Sequence, residues 1–127
     1  MFQLSLRLKQ AFQAHRERPA LWVKNVTYTY EQLEGRASQL ARSLQQLEKP
    51  NALLLVGKSF DGYASILACT LSKITYIPLN NTFPVEKIAS IIRTSGCSTL
   101  LVDEESIDLL EYLLPLCDRK LKIIRSY

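Results

Sequence analysis

The sequence predicts an α/β fold, an open three-layer sheet that is mostly parallel. Three observations carry that expectation. Residues 52–56 (Ala-Leu-Leu-Leu-Val) and 99–102 (Thr-Leu-Leu-Val) are short apolar runs without polar interruption, as expected of strands covered on both faces. Between them, Val85, Ile88, Ala89, Ile91 and Ile92 recur at helical spacing. Finally, strand-like and helix-like stretches alternate along the chain, an order that calls for right-handed crossovers and parallel pairing. The architecture is Rossmann-like, and 127 residues suffice for one such domain, spanning 1–127.

Each element has a local reason. Phe2, Leu4, Leu6, Leu8, Ala11 and Phe12 mark a first helix that ends before Pro19, because proline disfavours helical geometry in the residue preceding it. Residues 20–23 and 26–28 read as two strands around a Lys24-Asn25 hairpin turn. Thr29, followed three residues later by Gln32, forms a capping box. The helix it starts places Leu33, Ala37, Leu40, Ala41, Leu44 and Leu47 on one face, until Lys49-Pro50-Asn51 breaks it. After the strand at 52–56, Gly57-Lys58-Ser59 leads into a helix over 60–71 with Ser59 as its cap. A phosphate loop would need a glycine where Ala52 stands, so this triplet reads as a plain strand-to-helix turn. Tyr76-Ile77-Pro78-Leu79-Asn80 suits a strand end or extended connector. Pro84 sits near the first turn of the next helix, where its missing N–H costs nothing, and Gly96 supplies a left-handed C-cap. Asp103-Glu104-Glu105-Ser106 puts negative charge at the start of a helix using Ile107, Leu110, Leu113 and Leu114 and stopping near Pro115. Residues 121–124 form the last strand.

Composition narrows the function classes. With 47% hydrophobic and 22% charged residues the chain is an ordinary globular one. A net charge of +4 from scattered Lys and Arg argues against nucleic acid. No apolar run approaches a membrane span and no signal-peptide block opens the chain, so a cytoplasmic location is expected. Cys69, Cys97 and Cys117 are odd in number and widely spaced, which reads as reduced thiols and no metal site. His15, the only histidine, lacks the partner set that catalysis needs. A receiver-type module is disfavoured, because the strands ending at Val56-Gly57 and Ile124-Arg125 carry no acid there.

Two motifs point to a family. Tyr76, Pro78 and Leu79, then Pro84-x-Glu86-Lys87-Ile88, then Ser95-Gly96 and an apolar strand resemble the second core motif of adenylate-forming enzymes, above all the adenylation domains of nonribosomal peptide synthetases. Asn80 replaces the pattern's aspartate, and residues 71–74 lack its glycine. Thr29, Tyr30 and Leu33 resemble the first core motif, with Gln32 for glutamate, and Arg36-Ala37, Leu40-Ala41 and Leu44 continue it.

The resemblance implies the first third of the large N-terminal subdomain of an amino-acid-adenylating enzyme. It implies structural roles for Thr29, Tyr30, Leu33, Tyr76, Pro78, Leu79 and Pro84, and no catalytic, cofactor-binding or metal-binding residue in this chain. ATP and Mg would belong to a complemented, split enzyme; alone, the chain is expected neither to bind ATP nor to form an acyl-adenylate. A non-catalytic interaction or regulatory module, a homodimer among its forms, and a degenerate gene fragment are the other readings. The implied partners are a complementing polypeptide, a second copy of the chain or a small accessory protein. The all-round apolar helix at 60–71 is the surface expected to be covered.

Overall fold

The two apolar runs form the middle of the sheet. In the computed structural model, which describes residues 4–127, β3 (Asn51–Val56) lies between β4 (Thr75–Asn80) and β5 (Thr99–Val102), and β6 (Lys122–Arg125) forms the far edge. All these pairings are parallel, in the order β4-β3-β5-β6. Successive strand side chains point to opposite faces. Ala52, Leu54 and Leu101 therefore enter one core cluster, while Leu53, Leu55, Leu100 and Val102 enter another. The first is closed by α1 (Leu4–Ala14), α2 (Tyr30–Leu44) and α3 (Phe60–Leu71); the second by α4 (Val85–Ser95) and α5 (Leu110–Leu113). This is the expected three-layer architecture. Phe2, assigned to the first helix from sequence, lies outside the described residues.

The hairpin forms as expected: β1 (Pro19–Val23) and β2 (Val26–Thr29) pair antiparallel in a small sheet of their own. Lys24 and Asn25 take φ of 51° and 64°, the left-handed pair that a two-residue hairpin turn requires. At α2 the capping box is complete: Gln32 N–H donates to Thr29 Oγ1 (3.2 Å) and Thr29 N–H to Gln32 Oε1 (2.8 Å). The helix stops at Leu44, and Leu47 packs on the core from beyond its end.

Helix α3 is apolar on several sides because its own chain covers it. Ala64, Ala68 and Cys69 are fully buried, and Ile66, Leu67 and Leu71 pack on the cluster built by α1, α2 and the sheet. It ends in a Schellman arrangement, with Lys73 N–H donating to Thr70 O (3.3 Å) and Ile74 N–H to Cys69 O (2.8 Å). Such an end needs a left-handed residue, and Lys73 takes it at φ 56°, in the stretch where the family pattern has glycine. Gly96 plays the same part after α4 at φ 68°.

One element departs from the sequence reading. Residues 107–116 are not a single helix but a 3-10 turn (Ile107–Leu109), the single turn α5 and a second 3-10 turn (Leu114–Leu116) that contains Pro115. Asp103 is fully buried in the turn before them instead of lying on a helix's first turn. Its carboxylate is held by three donors, which outweigh a macrodipole contact worth about 0.3–1 kcal/mol.

Candidate functional site

In a doubly wound sheet, ligands bind beyond the carboxyl ends of the strands, where the winding changes direction. Here that place lies between β3 and β5, since the chain leaves β3 for β4 on one side and returns to β5 on the other. Two turns meet there, 57–59 and 103–106. Asp103 Oδ2 accepts from Gly57 N–H (2.9 Å) and Ser59 Oγ–H (2.6 Å), and Oδ1 accepts from Ser106 N–H (3.0 Å). Ser59 Oγ in turn accepts from Gly62 N–H (2.9 Å), capping α3. Asn81, after β4, donates to Ser106 Oγ (3.0 Å), and Glu105 reaches Lys24 of the hairpin (2.8 Å). Four separate segments are therefore tied at one point. Gly62 is needed there, because a Cβ on it would collide with the Gly57 carbonyl oxygen.

The chemistry of this end follows from its occupant. Donors that would face a ligand's anionic group are already satisfied by an internal carboxylate. Gly57-Lys58-Ser59 is the capped turn that its spacing indicated, and Lys58 is exposed. Among the described residues no cluster of His, Cys, Asp or Glu could hold a metal ion. Nearby, Arg36 Nε approaches Asp61 Oδ1 (3.4 Å) and Arg36 Nη1 donates to Ser126 O (3.4 Å), tying α2, α3 and the end of β6. Burial pushes the Asp61 carboxyl above its usual range, and Arg36 opposes that shift.

The residues singled out by motif fall into two separate places. Thr29, Tyr30 and Leu33 build the junction of hairpin and α2: Thr29 caps, Tyr30 packs edge-on to Phe12 (6.3 Å) and Leu33 is buried. Tyr76, Pro78 and Leu79 run along β4, an edge strand where proline is tolerated. Of these, only Leu79 is buried, opposite Leu55 on β3. Pro84 stands one position before α4. No hydrogen bond joins the two groups among the described residues. Sequence reasoning missed the joint formed by Asp103, Ser59 and Ser106. An aspartate just past a buried strand, with serine three residues on, is the local signal for a side chain that bonds its own turn.

The family model for AMP-binding enzymes matches residues 8–125. The chain belongs to that family. Among curated relatives, a plipastatin synthase component of Bacillus subtilis is 32% identical over 77% of this chain and 4% of its own length. A linear gramicidin synthase component of Brevibacillus parabrevis is 36% identical over 70% of this chain and 2% of its own. Among solved structures, the Vibrio cholerae adenylation domain AlmE, in complex with glycyl-adenosine-5'-phosphate, matches with a TM-score of 0.87 and 30% identity. That match covers 98% of this chain and 24% of AlmE. The chain therefore corresponds to an adenylation-domain segment of the nonribosomal-peptide-synthetase type, spanning a small part of its relatives' length. No described helix is long and apolar enough to cross a membrane.

Proposed function

We propose that this AMP-binding family member is the N-terminal structural portion of an amino-acid-adenylating enzyme, inactive alone and completed by a second polypeptide that carries the ATP and substrate sites. The observation that carries the reading is the self-filled crevice: the turn donors at the carboxyl ends of β3 and β5 are committed to Asp103. The likeness to a glycyl-adenylate-bound adenylation domain, over 98% of this chain, supports the kinship with amino-acid-adenylating enzymes on which the proposal rests. In this reading the chain supplies a preformed sheet and two capped helices against which the remaining body docks, and the reaction with ATP proceeds on the other polypeptide.

Amino-acid-dependent pyrophosphate exchange tests the proposal. The purified chain alone is expected to give none, and calorimetry with Mg-ATP is expected to be flat. Mixing it with a polypeptide comprising the remainder of an adenylation domain is expected to restore exchange. Robust exchange by the chain alone would overturn the proposal.

A further inference from the structure

The opposite end of the sheet is unlike the crevice just described. At the amino ends of β3, β5 and β6 lies an open pocket of about 650 Å³, inside the range of small-ligand and peptide-side-chain sites. Lys49 lines it from the loop before β3, Lys120 from the loop before β6 and Lys122 from the first position of β6, and Glu48 is the one carboxylate among its lining residues. None of these lysines pairs with an acid among the described residues, where Arg16, Lys24, Arg36 and Arg119 make the ion pairs. Lys120 and Lys122 alternate with buried Leu121, so extended geometry sends both to the same exposed side. The neutral lining adds donors too. Asn51 Oδ1 already accepts from the Cys97 thiol (3.2 Å), which leaves its amide NH₂ as the free half of the group.

We propose that this pocket binds an acidic peptide segment of a partner polypeptide. Three full positive charges outweigh the Glu48 carboxylate together with the roughly half negative charge that the C-terminus of α2 contributes at the same rim. That helix end also decides between kinds of anion. A phosphate chain concentrates charge and is bound by backbone N–H groups at helix N-termini or nests, whereas the helix that leads into this rim, α2, ends there at Leu44 with its C-terminus, the end of its carbonyls. Single carboxylates spaced along a peptide can each reach one ammonium group and stay clear of those carbonyls. Leu47 adds an apolar wall for the segment's methylene groups.

The test is fluorescence anisotropy of a labelled hexaglutamate peptide with the intact chain at low and at physiological salt. Saturable one-to-one binding is expected, weakened about tenfold by K49Q/K120Q/K122Q, since three exposed ion pairs each contribute a fraction of a kcal/mol to about 1 kcal/mol. A charge-matched control, K9Q/K58Q/R125Q, removes exposed charges elsewhere and is expected to change affinity less than about twofold. Equal weakening by both variants, or no saturable binding by the parent chain, would overturn the site. Displacement of the peptide by inorganic tripolyphosphate at lower concentration than by unlabelled hexaglutamate would overturn the choice of carboxylates.

Discussion

The two ends of the same sheet are built to opposite plans. At the carboxyl end, Asp103 is fully buried and four chain segments converge on its turn through short hydrogen bonds and an ion pair. At the amino end, Lys49, Lys120 and Lys122 face an open pocket without carboxylate partners among the described residues. The contrast follows from what burial does to a charged group. A buried charge is tolerated only with its partners supplied, because leaving it bare costs several kcal/mol. An exposed lysine needs no partner and is left available. The carboxyl end is thus a joint, and the amino end a surface.

The largest expected effect comes from undoing the joint. Asp103→Ala strands the Gly57 N–H and the Ser59 hydroxyl, each worth about 1–3 kcal/mol when unsatisfied, while Ser106 N–H keeps the residue's backbone carbonyl (3.1 Å), so a loss of about 2–6 kcal/mol is expected in urea unfolding. Unchanged stability would show that the carboxyl end is not held as described. Next comes Leu79→Ala, beside the joint and opposite Leu55, with an expected loss of about 2–5 kcal/mol in the same measurement. An unaltered melting temperature would mean that β4 does not bury this residue.

A pH effect probes the core between the two ends. Burial in α3 pushes the Cys69 thiol from 9.0 up to about 12. A thiol whose pKa is raised on folding contributes stability that is whole below 9.0 and is lost as the pH climbs through the folded value. The parent chain should therefore lose stability between pH 9.0 and about 12 more steeply than Cys69→Ala, followed by circular dichroism. Parallel curves would contradict the burial of that thiol.

Two smaller effects refine the contrast. Lys73 holds a left-handed backbone at the end of α3, and Lys73→Gly should stabilise by about 0.5–1 kcal/mol, the relief of strain less the extra entropy of glycine. A destabilised variant would mean that the lysine side chain contributes more than its backbone costs. Smallest of all, K49Q/K120Q/K122Q should shift stability by less than about 0.5 kcal/mol in thermal unfolding. A larger loss would make the amino-end lysines structural and bring the two ends closer in kind.

Local pattern determined much of this protein. The capping box at Thr29 and Gln32, the Ser59 cap, the Gly96 stop and the apolar runs of β3 and β5 were all legible, because each rests on residues within one or two turns of one another. The same locality made the two family motifs readable. Other features join residues far apart in the chain, and only the folded protein brings these together. Asp103 meets Gly57 and Ser59 across 46 and 44 positions, and that pairing turned an expected helix start into a buried turn. The covering of α3 by α1 and α2, and the meeting of Lys49 with Lys120 and Lys122, arise in the same way. Periodicity states which face of an element is apolar. Which element covers that face, and which charges meet at a sheet's end, depends on the order in which parallel strands are laid down, and no local spacing records that order.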